Sequence, residues 1–136
     1  IAASHAAVRI VEDRGGRIGT YVDRFQDLRN SGEQVVIDGL CASACTIILG
    51  AVPSNRICVT SRARLGFHAA WDMGTNGRAV TNREATRMLY AMYPTPVRRW
   101  IARRGGLTRH MIFLRGAELA SLYRPCYTVN AEAAYR

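Results

Sequence analysis

Lysine is missing from this chain: its 19 basic side chains are all arginine and face 10 carboxylates, for a formal net charge of +9. Coding bias accounts for an all-arginine set, and no nucleic-acid-binding motif accompanies it. The densest cluster, Arg98, Arg99, Arg103 and Arg104 around Trp100, spreads over several sides of a helix and reads as a solvated cationic surface. No run of eighteen apolar residues occurs, so no segment has the length of a membrane-crossing helix. The cysteines lack the C-x-x-C spacing of zinc and thioredoxin sites, which argues against a metal, and nothing calls for a cofactor. The G-x-S-x-G elbow of many serine hydrolases is missing too. Internal repeats and low-complexity segments are also lacking.

What remains describes one ordinary globular domain over residues 1–136, with 49% hydrophobic side chains. Cys41, Cys45, Cys58 and Cys126 are an even set, open to three pairings, and many for a small chain in a reducing compartment. Two disulfides fit a bacterial periplasm or another extracytoplasmic space; the alternative is that some are small buried hydrophobes. Cys58 and Cys126, on strands flanking the same region of sheet, are expected to pair, leaving Cys41 and Cys45 to pair or stay free. The sequence begins at Ile1 rather than Met, which leaves room for an upstream signal or anchor, the one expected route to a membrane.

Residues 5–11 (HAAVRIV) predict a buried strand, broken at Gly15-Gly16. Ile18, Tyr21, Val22, Phe25 and Leu28 recur at helical spacing up to the stop signal Asn30-Ser31-Gly32. Residues 34–38 predict a second strand, 44–51 a buried helix, 56–60 a third strand and 64–68 a short fourth. This βαβαβ order predicts right-handed crossovers and a parallel sheet buried on both faces. Residues 72–78 read as a Gly/Asn-rich loop, and 81–93 as a helix with a capping box from Thr81 to Glu84. A second helix follows Pro94 and Pro96, short helices are expected over 108–114 and 116–123, and 126–129 closes as a strand.

The segment Gly39-Leu40-Cys41-Ala42-Ser43-Ala44-Cys45-Thr46 joins a buried strand to a buried helix. Small neighbours permit a sharp turn that leaves Ser43 beside unpaired N–H groups at a helix start, where an oxyanion is favoured. A serine there also acts as a plain N-cap, contributing about 1 kcal/mol. His68 ends a later strand of the same sheet, and carboxyl ends of parallel strands share one edge, so it is placed to act as base to Ser43. Gly15-Gly16 ends the first strand at that edge; the Gly16 and Ala44 N–H groups make a candidate oxyanion hole. The alternatives are a satisfied, partly buried histidine and a simple glycine turn.

In order and spacing, VEDRGGRIGTYVDRF, VVIDGLCASACTIILGA and RICVTSRARLGFHAA resemble ClpP-type serine peptidases over residues 7–70. The nearest likeness is to small, often periplasmic ClpP-like bacterial proteins with a C-x-S-A-C-T turn. The interval of 25 residues (68 − 43) between serine and histidine is similar to that family's. The resemblance implies an α/β ClpP/crotonase-like fold with a mostly parallel sheet and a helical C-terminal part. It also implies a peptide or protein substrate, a homo-oligomer, Ser43 as nucleophile, His68 as base, and Gly16 with Ala44 as oxyanion donors. The family's third triad member, an aspartate, has no counterpart within 108–114, where His110 stands near the expected place. Glu118 and Asp72 are the acidic residues nearest in sequence. The insert that stacks ClpP rings is shortened, so neither a large ring nor an ATPase partner is expected. Two other readings are a ClpP-like binding module without catalysis, and a crotonase relative whose arginines meet acyl-CoA phosphates.

Overall fold

The computed structural model describes residues 7–127. Strand β1 (Val8–Asp13) leads through helix α1 (Ile18–Ser31) to β2 (Val35–Ala42), then to a 3₁₀ turn (Ser43–Ile47) that continues as the short α2 (Ile48–Ala51). Strands β3 (Ile57–Val59) and β4 (Arg64–Phe67) follow, then a hairpin of β5 (Trp71–Met73) and β6 (Ala79–Thr81). The rest is α3 (Arg83–Met92), α4 (Thr95–Arg103), β7 (Ile112–Arg115) and α5 (Gly116–Ala120). The architecture is mixed α/β around a mostly parallel sheet. Strand β2 pairs in parallel with β1, β3 and β4, and β7 closes antiparallel on β4.

Helix α1 forms where the apolar spacing predicts it: Phe25 and Leu28 are buried, and Gly32 ends it at a φ of +74°, a conformation glycine adopts without a Cβ clash. Period-two alternation sorts the sheet into two faces. Ile10, Val35, Ile37, Cys41, Ile57, Val59, Leu65, Phe67 and Leu114 share one core cluster with Phe25, Ile48, Leu89, Tyr93, Val97, Trp100 and Ile101 of the helices. Phe67 anchors α3 and α4, stacking edge-on to Tyr93 at 5.2 Å and tilted to Trp100 at 5.7 Å between ring centroids.

The opposite face is also buried at its centre, as predicted for the sheet. It carries Arg9, Val36, Asp38 and Cys58. Val36, Asp38 and Cys58 are buried there, but beneath arginines and a disulfide. Asp38 accepts hydrogen bonds from Thr60 Oγ1 (2.7 Å), Arg62 Nε (3.0 Å) and Nη2 (2.7 Å), and Arg9 Nε (2.8 Å), with Arg9 Nη2 as a further donor. The Arg62 guanidinium, outweighing the effect of burial and helped by Thr60 and Arg9, holds the Asp38 carboxyl well below the usual carboxylate range.

Several predicted elements differ in the structure. Strand β1 lies at the sheet edge with only Ile10 buried, because one of its sides has no neighbouring strand; Val11 is 58% exposed. The predicted loop at 72–78 is seen over 74–78 as the turn of a hairpin, whose short strands pair Trp71 with Thr81 and Met73 with Ala79. The cap of α3 is Asn82, one residue beyond Thr81, and its side chain accepts from Ala85 N at 2.9 Å. The predicted helix at 108–114 is strand β7, because its short apolar run finds an unpaired edge on β4, with Leu114 opposite Leu65. Of the strand predicted at 126–129, Cys126 and Tyr127 belong to no strand, the neighbouring Pro125 making only an isolated parallel bridge to Val59, and 128–129 lie outside the described residues.

Both cysteine pairs, Cys41 with Cys45 and Cys58 with Cys126, lie at disulfide geometry, with Cα separations of 5.3 and 4.9 Å. They are compatible with an oxidising, extracytoplasmic compartment. Among the described residues no helix is long and apolar enough to cross a membrane, and no cluster of three metal-ligating side chains occurs.

Two stability predictions follow from these contacts. A carboxylate depressed in the folded state contributes stability that is fully present above the unfolded value of about 4, and that is lost as pH falls from there toward the folded value. Urea unfolding of Asp38→Asn is therefore expected to show about 2 kcal/mol less stability at neutral pH, with the gap to wild type closing below about pH 4. A gap of unchanged size at pH 3 would show that the carboxylate's charge is not what matters. For the disulfides, loop length sets the scale: Cys58 and Cys126 are 68 residues apart and Cys41 and Cys45 only 4. Replacing the first pair with serine is expected to cost about 4 kcal/mol and the second about 2 kcal/mol in urea.

Candidate active site

Ser43 follows the last residue of β2, and His68 the last residue of β4. Because Ala42 pairs with Gly66 in a parallel register, the two chain ends leave the sheet side by side. Both side chains line one cleft of about 860 Å³, together with Gly15, Gly16, Ala44, Asp72 and the apolar Ile18, Trp71, Met73 and Leu89. The structure thus brings together Ser43, His68, Gly16, Ala44 and Asp72. Glu118 does not line it.

The turn at Ser43 is the one non-glycine residue with positive φ, +58°, among the described residues. That left-handed conformation is strained for a side chain with a Cβ, and such strain persists only where the surroundings impose it. Three contacts do so here. The Cys41–Cys45 bridge spans the turn. Thr46 Oγ1 donates to the Ser43 carbonyl at 2.6 Å, and the buried Tyr93 hydroxyl, 2.6 Å from Thr46 Oγ1, donates to it in turn. Burial pushes the Tyr93 hydroxyl well above its ordinary pKa, which keeps it a donor.

Gly15 is the third contact. A Cβ built there would sit 2.6 Å from Ser43 Cβ, 2.7 Å from Ala42 O and 2.8 Å from Ala44 N, and its φ is +86°. Only glycine fits both demands. The loop is held by Asp13, whose Oδ1 accepts from Gly15 N (2.9 Å) and Tyr21 OH (2.7 Å) and whose Oδ2 accepts from Arg24 (3.0 Å). Burial works to raise the Asp13 pKa, but the donors from Tyr21, Gly15 and Arg24 outweigh it and leave the carboxyl below its ordinary value. The Gly15 N–H is thereby spent, whereas the neighbouring Gly16 lies exposed in the cleft wall.

His68 is half-buried, and its Nδ1 lies 2.6 Å from the carbonyl of Ala69. With the proton on Nδ1 donated to that carbonyl, Nε2 is left as an acceptor. Ala69 is fixed in turn by its N–H to Thr108 O (2.7 Å), and Ala70 by Thr86 Oγ1 (3.0 Å). No hydrogen bond joins Ser43 to His68, and neither candidate acid bonds the imidazole. Asp72 Oδ2 instead accepts from Asn82 Nδ2 at 2.7 Å, tying the hairpin to the cap of α3. Glu118 accepts from Trp100 Nε1 (2.9 Å) and Arg104 (2.6 Å), joining α5 to α4. These bonds also involve the cluster read as a solvated cationic surface: Arg104 binds Glu118, and Arg98 donates to Tyr93 O at 2.7 Å.

Asp13, Thr46 and Tyr93 are absent from the candidates read from the sequence, and Gly15 was read there only as half of the glycine pair. Asp13 carried a usable signal, an aspartate two residues before a glycine turn. Tyr93 carried none, since it lies 47 residues from its partner Thr46.

No family model and no curated protein matches this chain. Among solved structures, a mutant of ClpP1 from Listeria monocytogenes matches with a TM-score of 0.46 and 17% sequence identity, over 87% of this chain and 70% of that one.

The close contact at Gly15 makes a controlled prediction. Gly15→Ala is expected to lower stability about 2 kcal/mol more than Gly77→Ala, since Gly77 has a similar φ of +76° but open space around its Cα. Equal losses in urea would mean that backbone conformation, not the packing against Ser43, is what glycine supplies.

Proposed function

We propose that this chain is a ClpP/crotonase-like serine hydrolase acting on peptide bonds, with Ser43 as nucleophile and His68 as general base. The observation that carries this reading is a strained serine and a histidine lining one cleft, beside the Gly16 and Ala44 backbone. Ser43 Oγ attacks the substrate carbonyl carbon while His68 Nε2 takes its proton. The oxyanion is held by the N–H groups of Gly16 and Ala44. Collapse of the tetrahedral species breaks the C–N bond, and His68 returns the proton to the leaving amine. Water, deprotonated by the same imidazole, then hydrolyses the acyl-serine ester and restores the hydroxyl.

In this reading the Ala69 carbonyl stands where a triad carboxylate otherwise would. It fixes the tautomer and ring orientation but supplies no full negative charge. A Ser–His contact that closes only with substrate bound fits the absence of a hydrogen bond between them. The periplasmic setting belongs to the same proposal, and so does self-association, for which the exposed Trp71, Met73, Val80 and Met88 offer apolar surface. A second reading, a binding module that retains the fold without the chemistry, is favoured by the absence of a carboxylate at His68.

A fluorophosphonate probe separates the two readings. Wild type is expected to be labelled at Ser43, Ser43→Ala not at all, and His68→Gln about a hundredfold more slowly. If folded wild-type protein stays unlabelled, or Ser43→Ala is labelled equally, the hydrolase reading is lost and the binding module stands.

A further inference from the structure

The charges around the cleft are one-sided. A second cavity of about 590 Å³ shares His68, Ala69 and Trp71 with the first, and adds Arg78 and Arg109. The first carries Arg14 and Arg17. Across both cavities Asp72 is the one carboxylate, and it is held by Asn82. Arg14 has its own partner in Glu12, at 3.1 Å. Arg17, Arg78 and Arg109 make no ion pair and no side-chain hydrogen bond among the described residues.

These three arginines come from unrelated segments: the start of α1, the hairpin turn, and the loop before β7. Fold stability does not account for them. Arg17 stands at the N-cap of a 14-residue helix with no acidic residue in its first turn, where a cation opposes the helix dipole. Unpaired guanidinium groups on two cavities that share His68, Ala69 and Trp71 suit carboxylates, which they can hold through two parallel N–H bonds. The groove also supplies apolar wall from Trp71 and Met73. Mixed apolar and cationic walls fit an extended peptide better than a bare phosphate chain.

We infer that the cleft selects acidic peptide segments, with glutamate or aspartate carboxylates near the scissile bond engaged by Arg17, Arg78 and Arg109. This rests on the hydrolase reading of the same cleft and names its substrate class. Selection of this kind is electrostatic, so it weakens with salt as the screening length shrinks from about 10 Å at 0.1 M to about 3 Å at 1 M.

The test measures binding and chemistry separately. Fluorescein-labelled decapeptides that differ only in four positions, all Glu, all Gln or all Lys, are titrated against Ser43→Ala protein by anisotropy. The Glu peptide is expected to bind about tenfold more tightly than the Gln peptide in 0.05 M salt, and within about twofold of it in 1 M salt. The R17Q/R78Q/R109Q variant is expected to lose that preference. The charge-matched R87Q/R99Q/R103Q variant, altered on exposed positions of α3 and α4, is expected to keep it. Equal binding of all three peptides overturns the inference, and so does equal loss of preference in both triple variants. Tighter binding of a single-stranded oligonucleotide than of the Glu peptide overturns it as well. Fluorophosphonate labelling of wild type reports independently: acidic preference without labelling removes the hydrolase and keeps the acid-selective groove, whereas labelling without preference does the reverse.

Discussion

Strand β2 runs for eight residues, but on the side away from β1 it has no single partner of that length. Val35–Ile37 face β3 and Leu40–Ala42 face β4, and between them the chain turns through Thr60 and Ala63. The exchange of partners occurs at Asp38, which binds the turn through Thr60 and Arg62 and the far strand through Arg9. A buried carboxylate is costly to desolvate and becomes favourable only when its lone pairs are fully used. Five donor groups meet that condition here. Because β4 starts where this clamp releases it, Gly66 falls beside Ala42, and His68 leaves the sheet next to Ser43. The distance from clamp to candidate chemistry is thus a matter of register. A one-residue slip of β4 would turn Phe67 out of the core and carry His68 away from the serine.

A second constraint is set at the strand ends. Gly15 and Ser43 approach until no Cβ can stand between them, and both backbones sit at positive φ. Asp13 fixes one side of this contact, and the Cys41–Cys45 bridge with the Tyr93–Thr46 pair fixes the other. The Ser43 backbone is therefore held by groups from β1, α1, β2 and the residue that follows α3 at once. An ordinary N-cap serine needs none of this, since its extended backbone is unstrained. The reinforcement around Ser43 goes beyond what capping a five-residue turn requires.

How much of this was legible in the residues depends on sequence distance. The α1 helix, the β2 strand and the Ser43–His68 juxtaposition follow from local periodicity and from the rule that parallel strands end on one edge. The Cys58–Cys126 pairing likewise followed from placing both cysteines beside the same sheet region. Strand β7 was misread because Ile112, Phe113 and Leu114 are apolar without a resolvable period, and its strand character comes only from the open edge of β4. The hairpin's turn was legible in Gly74, Asn76 and Gly77, but its flanking strands were not, because they are three residues each and exposed, with no buried face to betray them. Asp38 looked like one more residue at the end of an apolar run. Its partners stand 22 to 29 positions away, and no local pattern announces them.

In the proposed hydrolase, the Ala69 carbonyl stands behind His68 where a carboxylate otherwise would, and the difference bears on how such a site works. A charged acceptor roughly doubles the strength of a hydrogen bond to the imidazole and also stabilises the imidazolium once it forms. The Ala69 carbonyl retains the first effect in weaker form, because tautomer and orientation need only a fixed acceptor, and Thr108 fixes it. The second effect is reduced to that of a dipole. In the proposed mechanism this leaves less stabilisation for the charge that develops in the transition state. The surrounding arginines add further positive charge to the same cleft. In the inferred complex, the carboxylates of a bound acidic segment neutralise Arg17, Arg78 and Arg109. In the proposed hydrolase, the missing acid and the unpaired arginines are then two parts of one arrangement, in which an acidic substrate brings negative charge to a cleft whose histidine has no carboxylate partner.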